Sequence, residues 1–129
     1  MPLFIRNWSY LTWLLFFGCK KAGMGGDAGI SVYVRHHEVA IPGATVYVKY
    51  NEKEFPGTDV TKYNLSVVCG DSGHSSGHTH IRNLKQGYYY FYSVGFDSSL
   101  MQAVSGGISL HIKHSERKKE AELNIPVTE

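Results

Sequence analysis

The sequence predicts an all-β protein, about seven strands packed as a two-sheet sandwich, preceded by a targeting segment and a flexible tether. Three observations predict it. Short runs with an apolar residue at every second position follow one another from Ile30 to Val127. Clusters of Gly, Pro, Asn, Asp and Ser separate the runs. No helical period is present after residue 18.

The first run sets Ile30, Val32 and Val34 against Ser31, Tyr33 and Arg35. Pro42-Gly43 pre-sets a turn, after which Ala44, Val46, Val48 and Tyr50 alternate with Thr45, Tyr47 and Lys49. Leu65–Cys69 and Thr79–Ile81 are shorter candidates, and Gly87–Gly95 (GYYYFYSVG) is aromatic enough to favour a strand strongly. Ile108, Leu110 and Ile112 mark one face of a later strand. The tip Ser115–Lys119 reverses the chain into Ala121, Leu123, Ile125 and Val127. Two longer loops, Asn51–Tyr63 and Gly70–Gly77, complete the pattern. Strands with one apolar face each are what two packed sheets require.

Ahead of these runs, Met1–Gly18 has one positive charge, Arg6, then an apolar stretch over Leu11–Phe17 and a small residue before Cys19. That order is a secretory signal, and the stretch is much shorter than the roughly 20 residues of a membrane-spanning helix. The run Leu15-Phe16-Phe17-Gly18-Cys19 resembles the lipobox of bacterial lipoproteins, with Phe16 where Leu is usual. The resemblance implies lipidation at Cys19. Each buried acyl methylene contributes roughly 0.8 kcal/mol, and more than one chain gives a stable anchor. Lys20–Ala28 (KKAGMGGDA) lacks periodicity and reads as tether, so the division is 1–18 signal, 19–28 lipidated cysteine and tether, and 29–129 folded domain.

Removal of the signal leaves 129 − 18 = 111 residues, enough for one core. Arg6 leaves with it, so 12 Lys and Arg face 11 Asp and Glu, and nothing suggests a nucleic-acid footprint. Arg117-Lys118-Lys119 sits between Glu116 and Glu120 and reads as a solvated hairpin tip. A lipidated Cys19 leaves Cys69 without a disulfide partner. An unmodified Cys19 leaves a Cys19–Cys69 bridge open.

Ile41-Pro42-Gly43-Ala44-Thr45-Val46 and Ile81-Arg82-Asn83-Leu84-Lys85-Gln86-Gly87-Tyr88-Tyr89 together resemble carboxypeptidase-regulatory-like domains. These are prealbumin-like (transthyretin-like, Cna-B-like) sandwiches, and the resemblance covers roughly residues 29–127. It implies that Ile81, Leu84, Tyr89 and Phe91 face the core and that Gly87 permits a bend into the aromatic strand. Short Cys-Lys-Lys lipoproteins with such a domain resemble those of Bacteroidota.

Three groups of residues bear on chemistry. His78 and His80 are two apart and share one face of a strand, the outer one if Ile81 points inward as the resemblance implies, so with His74, Asp71 or Cys69 from the preceding loop they are candidate ligands for Zn²⁺ or Cu²⁺. His36-His37 and His111/His114 are weaker candidates, because neighbours on a strand face opposite ways. With Tyr89 and Phe91 inward, as the resemblance implies, Tyr88, Tyr90 and Tyr92 form an outward ladder suited to a protein or glycan partner, or to packing across the sheet. Catalysis has less support. The chain ends Ile125-Pro126-Val127-Thr128-Glu129, unlike the Tyr-Arg-Gly-Ser of transthyretin-like hydrolases. The first strand has no lysine for an isopeptide with Asn124, and Cys69 with His78 or His80 is only a formal nucleophile–base pair. The expectation is a lipid-anchored, non-catalytic envelope module without a cofactor, at the outer membrane. A metal-binding or carbohydrate-binding lipoprotein is the alternative.

Overall fold

The computed structural model describes residues 21–129, in eight strands. These are β1 (Met24–His36), β2 (Val39–Ala40), β3 (Thr45–Tyr50), β4 (Leu65–Val68), β5 (His78–Leu84), β6 (Gly87–Asp97), β7 (Gln102–Ile112) and β8 (Glu120–Pro126). They form the expected all-β architecture, two four-stranded sheets. In the first, β1 pairs antiparallel with β2 and β5 and parallel with β8. In the second the order is β4-β3-β6-β7, antiparallel throughout.

Alternation builds the core. Ile30, Val32 and Val34 of β1 meet Val46 and Val48 of β3, Tyr89 and Phe91 of β6, and Leu123 and Ile125 of β8 in one buried cluster. Ile81 and Leu84 are also buried, although three residues apart on one strand. Strict alternation would put them on opposite faces. Asn83 resolves the conflict with a left-handed φ of 63°, and the β1–β5 register slips there, a bulge that returns Leu84 to the core.

Two boundaries differ from expectation. Residues 24–28, read as tether, begin β1, because Ala22–Ala28 finds partners that composition alone does not reveal. The Lys85 amide donates to the Gly23 carbonyl, the Gly23 amide donates to Tyr89 Oη at 2.9 Å, and Ala22 is buried against the Gly87 backbone. Gly87 holds φ at 145°, and a side chain there would press on Ala22. The eighth strand, β2, arises from a hairpin before Pro42. His36 pairs with Val39, which leaves His37-Glu38 as a two-residue loop.

Candidate functional site

At the far end of β1 from Met24, the last inward position is a histidine. His36 follows Ile30, Val32 and Val34 on the core face and is 1% exposed. The last inward position of β6 is Asp97, also buried. The two strands belong to different sheets, so the sandwich closes at this end with a polar pair. His36 Nδ1 lies 2.8 Å from Asp97 Oδ2, while Asp97 Oδ1 accepts from Ser99 Oγ at 2.6 Å and from the Ser99 amide at 3.0 Å. The hydrogen bonds from Ser99 and then from His36 hold the Asp97 carboxyl down to about 2. The Asp97 carboxylate in turn raises His36 above its ordinary value, against the opposing pull of burial.

The other ring nitrogen of His36 has a different environment. Nε2 lies 2.7 Å from Glu129 Oε2, yet it is buried and makes no aligned hydrogen bond. His37 Nε2 is 3.9 Å from the same carboxylate oxygen. The His36 and His37 rings lie 4.1 Å apart between centroids. Adjacent strand residues should point to opposite faces, the reason His36-His37 is discounted on sequence. The turn changes that. His37 and Glu38 both take left-handed φ angles, 53° and 69°, the signature of a type I′ hairpin, and the chain rotates His37 back beside His36. The usual Asn-Gly signal for this turn is absent, so the hairpin is silent in the sequence. The even spacing Ile30-Val32-Val34-His36 is the signal that does place His36 inside. Among the described residues, His36, His37 and Glu129 are the one group of three potential metal ligands whose ligand atoms all lie within 4.8 Å of one another. His37 also lines an open cleft of about 510 Å³ with Arg35, Glu38, Asn124 and Thr128.

His78 and His80 do share the outer face of β5, with ring centroids 4.7 Å apart. Their nitrogens have neighbours. Ser31 Oγ is 3.0 Å from His78 Nε2 and 3.5 Å from His80 Nδ1, which also lies 3.0 Å from Glu120 Oε2. His78 stacks on Tyr33 at 4.2 Å. His74 sits in a short 3₁₀ turn, Gly73–Ser75, and is exposed, and Asp71 is exposed nearby. Neither completes a three-ligand group with His78 and His80. Cys69 is buried, and burial pushes its thiol up to about 11, away from the thiolate that a metal or a nucleophilic role needs.

The tyrosine ladder is partly consumed by the fold. Tyr88, Tyr90 and Tyr92 lie on the outer face, but the Asn51–Tyr63 loop folds over it. Phe55 approaches Tyr90 and Tyr92 at 5.9 and 5.3 Å, and Tyr63 stacks on Tyr92 at 5.8 Å. Tyr92 is buried as a result, a correction to its expected role in an open binding surface. Tyr88 stays exposed, stacked on His111 at 4.0 Å with Lys53 Nζ 4.4 Å above its ring. His114 Nδ1 is 2.9 Å from Gln86 Oε1. Cys19 lies outside the described residues. No helix among the described residues is long and apolar enough to cross a membrane. No protein-family model matches the chain, and no curated protein matches it either.

Proposed function

We propose that this protein is an exported lipoprotein, anchored through Cys19 and held at the outer membrane, whose β-sandwich acts as a non-catalytic binding or structural module of the envelope. The observation that carries the reading is the start of the fold. Ala22 is already buried and Gly23 already hydrogen-bonded, three and four positions after Cys19, which supports a short spacing between an anchor at Cys19 and the domain. A lipid-modified cysteine there would seat the sandwich close to the bilayer surface, with Lys20 and Lys21 beside anionic headgroups.

The non-catalytic part is supported by Ser31 and Cys69. Ser31 and Glu120 both approach the same nitrogen of His80, whereas nucleophile activation needs hydroxyl and carboxylate on opposite ring nitrogens. The Cys69 thiol is buried and protonated. A recognition role is supported by Val68, Val94 and Phe96, large apolar side chains exposed on the second sheet. Membership of the prealbumin-like class is part of the same proposal, supported by the two-sheet architecture and the Leu84 plug.

Fractionation of expressing cells tests the anchor. The wild-type chain should partition with membranes, with a mature N-terminus at Cys19 carrying acyl mass. Cys19→Ser should be unprocessed or soluble. Unchanged size and unchanged membrane association of Cys19→Ser would overturn the proposal.

A further inference from the structure

We infer that His36, His37 and Glu129 form a binding site for a divalent first-row metal ion of the Zn²⁺ type, at the end of the sandwich opposite Met24.

The argument begins with the protons of His36. A carboxylate only accepts hydrogen bonds, so Asp97 fixes the proton of a neutral His36 on Nδ1 and leaves a lone pair on Nε2. That lone pair is buried and stands 2.7 Å from a second carboxylate oxygen, that of Glu129. Two acceptors at this distance repel unless a positive charge lies between or beside them. A second proton on the ring is one source of that charge. Both Asp97 and Glu129 favour that proton, although the 2.7 Å contact of Nε2 with Oε2 lacks the alignment of a hydrogen bond; a metal ion is the other source. A metal ion displaced from the N–O line, toward His37, satisfies all three groups.

The distances suit such an ion. Ligand atoms about 2.0–2.1 Å from a tetrahedral zinc stand about 3.3 Å apart. The contacts of Glu129 Oε2 to His36 Nε2 and His37 Nε2, 2.7 and 3.9 Å, bracket that value. The surroundings suit it too. A metal-bound histidine commonly gives its other N–H to a carboxylate, which fixes ring orientation, and Asp97 occupies that place. With both histidines neutral, the charges of Asp97 and Glu129 balance a divalent cation. The left-handed backbone at His37 and Glu38 is what brings the second imidazole into range, and strain of this kind gathers at functional positions. A three-ligand set leaves one position of a tetrahedral ion for water, and His37 opens onto the cleft beside Arg35 and Glu38.

Calorimetry with ZnCl₂ on the metal-free full chain in detergent, at pH 7.5, tests the site. One-to-one binding is expected, weakened about tenfold or more by His37→Ala and by Glu129→Gln. Both side chains are substantially exposed, 72% and 46%, so neither variant should impair folding. His78→Ala and His80→Ala should leave the isotherm unchanged. Zinc should also shift the His36 and His37 ring resonances in ¹⁵N-edited spectra while sparing those of His78. A flat isotherm for the wild-type chain would mean that a proton, not a metal, occupies the gap, and would overturn the inference. So would binding that survives both His37→Ala and Glu129→Gln, or binding abolished by the β5 variants alone.

Discussion

Leu84 has no exposed surface, whereas the His80 side chain is 38% exposed, so the two should respond very differently to truncation. Leu84→Ala removes buried methyls from a closed core and should cost about 2–5 kcal/mol. His80→Ala gives up a half-exposed contact with Glu120 and should cost about 0.5 kcal/mol or less. Urea denaturation of both variants measures the gap, and the reverse order would mean the β5 register is displaced. Cys69 offers a pH test. Burial raises its thiol from about 9 to about 11, so the folded state favours the protonated form. Its contribution to stability is therefore complete below about pH 9 and is lost as pH climbs toward about 11. Iodoacetamide at pH 8 should spare Cys69 in the native chain and alkylate it in urea, as read by site-resolved mass spectrometry. Native alkylation would place the thiol at the surface. Residue by residue, the sequence was legible wherever alternation held, as at Ile30, Val46 and Leu123, all buried. It was not legible at Tyr92, because its cover, Phe55 and Tyr63, comes from a loop with no periodicity.

Among the elements, the β1–β2 hairpin departs most from local preference. A type I′ loop wants Asn-Gly or Gly at both positions, and this one holds His37 and Glu38 at positive φ. A left-handed residue with a Cβ costs roughly 1–2 kcal/mol, offset by roughly 0.5–1 kcal/mol of extra unfolded-state entropy when glycine replaces it. Glu38→Gly should therefore stabilise the fold by about 0.5–1 kcal/mol while leaving His36, His37 and Glu129 in place. Thermal melting decides it, and a lower Tm would show that the Glu38 side chain itself contributes to the turn. Both the absent strand β2 and the discounted His36-His37 pair trace to this one turn. Its residues carry no turn signature, and only pairing with Val39 reveals it. The bulge at Asn83 is the opposite case. The resemblance implied that Ile81 and Leu84 both face the core although their spacing argues against it, and the structure supplies the backbone irregularity that permits it.

Across the whole molecule, the division of chemistry follows the length of β1. Its 13 residues span about 40 Å, from the segment beside Cys19 to the polar pair His36–Asp97 at the other end. The architecture was readable in the sequence because a sandwich needs only alternation and turns. The site at the far end was not, because it joins β1, the hairpin, β6 and Glu129, residues far apart in the chain whose meeting depends on how the two sheets stack. The parallel pairing of β1 with β8 has a consequence for biogenesis. Gly29–Arg35 find their partners in Glu120–Pro126, so the central strand stays half-paired until almost all the intervening chain is present. Contacts of such separation close late and slowly, and a partial chain lacks the means to complete its first sheet. A polypeptide emerging from a ribosome would thus hold one edge of β1 open until the residues of β8 have been added.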